Sequence, residues 1–311
     1  MIRDQILDNP SLLKRFCRDY NVPVSTYAGY YFTHQLETLT LYNPDYMDYW
    51  NKFCEELSHY NSAEDYFEYY NSTKDSVIRY ITENEEFKTF SNLTFSKNMF
   101  MKHELYTPDN DGKCFVSIDM RKANFTIVNL FCKDLFQGKS WEEFLKSFGC
   151  SDYLAKSKYL RQVIFGACNP KKQIQAQTEF MDHLALALAN KGFTPYSVVT
   201  DEIIYECSNY ADWQRLYDAI HYCRNKMLGN NFLKISKFTL NKNNIGYNKK
   251  IEYSDDTDEI GKIIFKCIDS DFMCQYIKYF YNMPIKEYDM VFDYKGKVAE
   301  FETPIRNPFI D

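Results

Sequence analysis

The sequence predicts an α+β protein in which an antiparallel sheet with packed helices follows a helical N-terminal domain and precedes a small α/β C-terminal element. Three observations carry this reading. Two runs rich in β-branched and aromatic residues, Phe115-Val116-Ser117-Ile118-Asp119-Met120 and Val198-Val199-Thr200-Asp201-Glu202-Ile203-Ile204-Tyr205-Glu206, have the build of strands. Helical patterns with their own start and stop residues fill most of the chain around and between them. From residue 254 on, a strand, a helix and a hairpin follow one another. The expected division is 1–92 for the helical domain, 93–253 for the sheet-bearing domain and 254–311 for the C-terminal element.

Asn9-Pro10 opens the first helix, the Asn side chain capping and the Pro taking the first turn, where its missing N–H costs nothing. Further helices are expected over 31–41, 44–58 and 63–84, separated by Pro23, Asn43-Pro44 and Asn61-Ser62. Residues 93–105 alternate loosely enough to form a strand. Tyr106 to Gly112, with Pro108 and Asn110 inside it, is a turn that leads into the strand ending at Asp119. Ala123 to Phe131 suits a helix. Ser140-Trp141-Glu142-Glu143 is a capping box, hydroxyl and carboxylate each satisfying an orphan amide, and opens a helix to about Phe148. Ser151 starts another over 152–167. Asn169-Pro170 starts the longest helix, which ends near Asn190 with Gly192 as its stop. The hairpin 196–206 follows, then an amphipathic helix over 210–227 begun by Asn209. In the C-terminal element, Ile263 to Ile268 reads as a strand, 271–282 as a helix, and 289–302 as a hairpin turning at Lys295-Gly296. The acidic stretch Ser254 to Glu259 reads as a linker.

At 311 residues, 45% of them hydrophobic, the chain can build one large or two modest cores. The 27 Tyr and 25 Phe accompany abundant Asn and Lys, the habit of AT-rich coding sequence, and carry no functional weight. No apolar run reaches the roughly 20 residues that span a bilayer, and Met1-Ile2-Arg3-Asp4-Gln5 lacks the layout of a signal peptide. A soluble, intracellular (cytoplasmic) protein with no membrane partner is the expectation. The ten cysteines are scattered without a CxxC pair, so they read as reduced thiols rather than zinc ligands. The net charge of −6 is unevenly spread. Residues 1–90 hold 8 Lys and Arg against 15 Asp and Glu, residues 91–250 hold 22 against 15, and residues 251–311 hold 7 against 13. The basic excess falls where a phosphate backbone or triphosphate would need it; ordinary variation in surface charge fits as well.

The chemistry rests on acids. A carboxylate ending one strand and an acidic pair at the tip of a hairpin can hold two divalent cations, which neutralise the charge that develops in phosphoryl transfer and keep attacking and leaving oxygens in line. Magnesium takes hard oxygen ligands and keeps some of its waters, so two or three carboxylates suffice. Asp119 and Asp201 would be the ligands, with Glu202 close enough to help and the Met120 carbonyl completing a shell. Two Mg²⁺ ions, with Mn²⁺ as a substitute, are the expected cofactors. Lys171 and Lys172 would add to a phosphate-binding helix N-terminus, or be surface charge.

Val199-Thr200-Asp201-Glu202-Ile203-Ile204-Tyr205-Glu206 resembles the carboxylate-bearing hairpin of DNA polymerase I-like (family A) polymerases. Ser117-Ile118-Asp119-Met120-Arg121-Lys122-Ala123-Asn124-Phe125 resembles the first motif of their palm, in which a strand delivers Asp and runs into a helix. Between these, Arg161-Gln162-Val163-Ile164-Phe165-Gly166, with Lys158 one turn earlier, is similar to their fingers helix. There a base grips triphosphate and an aromatic ring stacks by the incoming base. Gln173-Ile174-Gln175-Ala176-Gln177-Thr178 sits where the family has a helix beneath the template.

The resemblance spans residues 113–207 and implies a polymerase-like palm with reduced helical fingers and a thumb-like N-terminal domain. It also implies a nucleotidyltransferase that adds nucleotides to a 3′-hydroxyl, with nucleic acid (primer or primer-template) and a nucleoside triphosphate as partners. Lys158 and Arg161 would neutralise triphosphate, Phe165 would stack on the base, Asn124 and Met120 would face the nucleotide, and Gln175, Gln177 and Thr200 would face the strand. The departures are that Thr200 replaces a His that contacts the primer end, Asn124 stands at the position of a Glu that excludes ribose, Asn169 replaces a fingers Tyr, and the fingers are cut short. Small size and no proofreading motif fit a viral or mobile-element enzyme. Each piece also has a plain structural reading: Asp119 as a helix cap, Asp201-Glu202 as a turn, Lys158 and Arg161 as a solvated face, Phe165 as core, Gln175 and Gln177 as exposed helix. A polymerase-like binding or accessory protein without catalysis, and a two-metal nuclease of other topology, are the competing functions. Tyr153, Tyr159 and Trp141 are further candidates for stacking on bases.

Overall fold

The structure, a computed structural model, describes residues 6–96, 99–227 and 232–305. The helices in chain order are α1 (Pro10–Tyr20), α2 (Gly29–Tyr42), α3 (Asp45–Leu57), α4 (Ala63–Glu83), α5 (Glu85–Asn92) and α6 (Ala123–Phe131). They continue as α7 (Trp141–Lys146), α8 (Asp152–Lys156), α9 (Lys158–Ala167), α10 (Pro170–Ala189), α11 (Tyr210–Met227) and α12 (Ser270–Phe280). The strands are β1 (Cys114–Met120), β2 (Ser197–Val198), β3 (Glu202–Glu206), β4 (Leu233–Lys242), β5 (Tyr247–Ser254), β6 (Ile263–Lys266), β7 (Val291–Tyr294) and β8 (Lys297–Glu300). Two compact units form: one from Met1–Tyr80, Lys139–Ile164 and Asp269–Asp311, the other from Ile81–Gly138 and Phe165–Ile268. This division cuts the chain differently from the three consecutive segments read in the sequence. The expected C-terminal element is shared out, because β6 joins the sheet of the second unit while α12 packs on α2 in the first.

The first unit is helical with a terminal hairpin. Asn9 caps α1 through Ser11 and Leu12 amides, and Ser140 makes the full capping box on α7. Phe16, Phe32, Phe53 and Tyr66 are fully buried, with Phe16 against Phe53 at 5.6 Å and Phe32 at 6.3 Å between ring centroids. The helix expected over 152–167 is two helices. Ser157 interrupts it at φ −61°, ψ 116°, its hydroxyl donating to Asp19 and capping the Leu160 amide at 2.9 Å. A tertiary partner at Asp19 thus overrides helical propensity.

The second unit is an antiparallel sheet of order β2-β3-β1-β4-β5-β6. Since β1 and β2 both run antiparallel to β3, which lies between them, β1 through β4 form a split β-α-β pattern with α6 to α10 in the first crossover and α11 in the second. Side chains alternate between the faces. Val116, Ile118, Ile203, Tyr205 and Ile235 are buried on one face. Tyr253 of β5 points the same way, its ring 5.1 Å from that of Trp213 and its hydroxyl donating to Tyr217, both on α11. The other face is apolar at one end only, where Phe115, Ile204, Phe238, Leu240, Tyr247 and Ile251 pack with Leu105.

Two expectations fail here. Residues 93–105 form no strand among those described: the Met101 carbonyl accepts once from the Val198 amide of β2, His103 makes two bonds to the Ser197 hydroxyl, donating with its amide and accepting with its carbonyl, and residues 97–98 lie outside the described residues. The stretch Ser254 to Glu259 is no linker, because Asp255, Asp256 and Glu259 pair with Arg224, Arg121 and Lys234. Among the described residues no helix is long and apolar enough to cross a membrane.

Candidate acidic site at the end of the sheet

Strand register brings the acids together. Asp119 on β1 lies directly opposite Glu202 on β3 and, on its other side, opposite Lys234 on β4. Residues paired this way in an antiparallel ladder share a face with Cβ atoms about 5 Å apart. Asp201 ends the tight turn between β2 and β3, closed where the Val199 amide donates to the Glu202 carbonyl at 2.8 Å. The Asp201 carbonyl accepts from the Met120 amide at 2.8 Å, tying the turn to the end of β1. Sequence-remote acids thereby become backbone neighbours. Ser117, one step back along the same face of β1, donates its hydroxyl to Glu202 at 2.5 Å and holds that carboxylate.

The electrostatics follow from this crowding. Burial, then the nearby charges of Glu202 and Asp201, push the Asp119 carboxyl up to about 6, with Lys234 and Lys249 opposing them. Lys249 on β5 is itself shifted down, by burial first and then by Lys266 and Lys234, against the pull of Glu202 and Asp119; its Nζ lies 3.9 Å from the Phe238 ring centroid. The site is an acidic cluster short of positive charge, walled on one side by two lysines. Beyond Lys234 the charged row continues: Asp256 sits 3.6 Å from Lys234 and accepts from Arg121 at 2.8 and 3.0 Å. At that end of the sheet a 590 Å³ cavity opens between Arg121, Arg224, Tyr253 and Asp255.

The sign of the Asp119 shift makes a prediction. A carboxyl that titrates near 6 in the folded protein and near 3.8 unfolded costs no stability below about pH 4, and the cost grows to completion as pH rises through 6. At about 1.36 kcal/mol per unit the ceiling is about 3 kcal/mol, and partial solvent access brings the expectation to about 1–2 kcal/mol. Asp119→Asn therefore matches the native melting temperature at pH 4 and melts several degrees higher at pH 8 in metal-free buffer. Equal melting temperatures at both pH values would show that neither burial nor the neighbouring acids raise the Asp119 carboxyl.

The other expected residues are placed as follows. Asn124, in the first turn of α6, accepts from the Gln177 amide of α10 at 3.1 Å, and Gln177 is buried. Gln175 is half-buried on α10, and Thr200 lies in the acidic turn beside Asp201. Lys171 is exposed, whereas Lys172 donates to the Leu93 carbonyl at 2.5 Å and lies over the Phe95 ring. The fixed place of Lys172 makes it a tether for that segment rather than an open phosphate contact. Phe165 is corrected outright: it is fully buried, so its ring is core and cannot stack on a base. Trp141 and Tyr153 are core residues for the same reason. Lys158, exposed, and Arg161, half-buried and shifted down by that burial, both belong to the helical unit, not to the unit that carries the acids.

Sequence reasoning missed Ser117 as a partner of Glu202, and Lys234 and Lys249 as their basic neighbours. The signal for β4 was present in the alternation Leu233-Lys234-Ile235-Ser236-Lys237-Phe238-Thr239-Leu240; nothing local says which strand it pairs with.

The donors at the site are hard oxygens of the kind Mg²⁺ takes. Among the described residues no group of three or more His, Cys, Asp and Glu side chains is gathered as a metal cage. No protein-family model, curated protein or solved structure matches this chain.

Proposed function

We propose that the protein is a metal-dependent nucleotidyltransferase, a minimal polymerase of the DNA polymerase I-like (family A) kind that adds nucleotides to a 3′-hydroxyl on DNA or RNA. The observation that carries this reading is the convergence of Asp119 with the Asp201-Glu202 pair at one end of an antiparallel sheet. The split β-α-β connectivity, with helices against one face and the acids on the other, supports it as the frame of a palm.

Asp119 and Asp201, with the Met120 carbonyl, would hold two Mg²⁺ or Mn²⁺ ions, and Glu202 would assist. When bound, the ions neutralise phosphate charge and lower the barrier to attack by the 3′-hydroxyl on the α-phosphate. The chain supplies the rest. Ser117 fixes Glu202, the Met120–Asp201 backbone bond keeps the turn against β1, and Lys234 and Lys249 offer cations on the same face. The Asn124–Gln177 bond would set the floor near the sugar, and without an acid at Asn124 discrimination against ribonucleotides is weak.

The burial of Phe165 and the engagement of Asn124 by Gln177 favour a second reading, a polymerase-like accessory protein that binds nucleic acid without chemistry. One assay separates them. The purified chain is incubated with a 5′-labelled primer on DNA and on RNA templates, with all nucleoside triphosphates and Mg²⁺ or Mn²⁺. Growth of the primer that stops on chelation is the expected result. A bound primer of unchanged length would establish the accessory role, and a shortened primer would point to a two-metal nuclease.

A further inference from the structure

The helical unit carries a second feature that the acids do not explain. A cavity of 330 Å³ opens along α1, walled by Lys14, Arg15 and Arg18, with Ser11 and Asn71 as uncharged donors and the Tyr70 ring beside them; among the described residues no Asp or Glu lines it. Three cations stand on one stretch of helix at i, i+1 and i+4, with Ser11 a turn earlier, so they share a face. They do so in a part of the chain, residues 1–90, where acids outnumber bases 15 to 8.

The site is built rather than scattered. Arg15 is only 8% exposed, and its guanidinium lies over the Tyr70 ring at 4.2 Å and the Tyr159 ring at 4.7 Å. Lys14 lies over Tyr27 at 5.2 Å, and Arg18 over Tyr159 at 5.7 Å. The one acid within α1, Asp19, is fully buried and already accepts from the hydroxyls of Ser157 at 2.7 Å and Tyr153 at 3.2 Å. Its nearest approach to Arg15 is 3.9 Å, and it leaves the exposed Lys14 and Arg18 facing solvent as net positive charge.

We infer that this cleft grips the phosphate backbone of a single nucleic-acid strand. The half-buried Phe67 ring also lines the cleft, and a strand offers phosphates to the cations and a base face to that ring, for which an acidic protein surface would have no use. The inference does not rest on catalysis at Asp119 and Asp201, since all the residues involved belong to the helical unit.

The test is fluorescence anisotropy of a labelled single-stranded oligonucleotide against the full chain across a salt series. Because Lys14 and Arg18 are exposed, the double variant Lys14→Ala/Arg18→Ala keeps the native melting temperature. Its Kd rises about tenfold or more, and the slope of log K against log salt falls by about 1.4, two phosphate contacts at about 0.7 each. An unchanged Kd and slope in the double variant would overturn the assignment. So would release of the strand by polyglutamate as readily as by unlabelled strand. Release by inorganic phosphate, at an ionic strength where chloride has no effect, would assign the cleft to free phosphate and overturn the strand.

Discussion

For the proposed nucleotidyl transfer, Asp119→Ala and Asp201→Ala are each expected to lower the rate of nucleotide addition by about a thousandfold or more, and Glu202→Gln to lower it less. A divalent cation contributes several kcal/mol to a phosphoryl-transfer transition state, and at about 1.36 kcal/mol per factor of ten the loss of one ligand that secures it removes about three powers of ten. Asp119 and Asp201 come from two chain segments joined by the Met120–Asp201 backbone bond, so neither replaces the other. Glu202 keeps its place through Ser117, and the amide of Gln still accepts that hydrogen bond, so the geometry survives with one charge fewer. Unfolding is not the cause of the loss, because removing a crowded carboxylate relieves repulsion; the higher melting temperature of Asp119→Asn at pH 8 is the internal control. Native rates in the alanine variants would leave the acids as a turn and a strand end, nothing more.

Gln35→Ala lowers the stability of the helical unit by about 3 kcal/mol. Gln35 on α2 is fully buried. Its amide nitrogen donates to the Ser25 hydroxyl at 2.7 Å and to the Tyr288 and Val291 carbonyls at 3.0 and 3.1 Å; its oxygen accepts from the Ser25 amide at 3.0 Å. Truncation strands a buried amide and weakens the satisfaction of two carbonyls, at about 1–3 kcal/mol for each orphan, and leaves a void besides. Urea denaturation measures the loss. Gln35→Met fills the volume without the hydrogen bonds and recovers only the packing part. A cost below about 0.5 kcal/mol in both variants would mean that water replaces the side chain and that the β7–β8 hairpin is held by other contacts.

Elements whose signals are local were legible. Asn9-Pro10, Ser140-Trp141-Glu142-Glu143, Asn169-Pro170 and Asn209 each mark the helix start that the structure shows, because a cap is satisfied within one turn of chain. The strand ending at Asp119 and the hairpin carrying Asp201-Glu202 were legible for a like reason, short apolar runs between turn residues. What failed depends on distant partners. Ser157 breaks a helix because Asp19 is there to accept its hydroxyl. Phe165 sits where a nucleotide-facing ring was expected and is core instead. Lys249 reaches the acids only through the pairing of β5 with β4 and of β4 with β1, a register that no single segment announces.

The hydrogen bond from Ser25 to the Val291 carbonyl has a consequence for biosynthesis. The first helices leave the ribosome long before α12 and the β7–β8 hairpin exist. At about 5–20 residues per second, the stretch from Tyr80 to Asp269 takes roughly 10–40 s to translate. During that interval Gln35 and Thr38 have none of their eventual partners at Tyr288, Asp289 and Val291. The sheet-bearing unit, whose last residue is Ile268, is fully synthesised first. Gln35 and Thr38 are therefore locked in place only after the whole sheet-bearing unit has been translated, although they precede it in the chain.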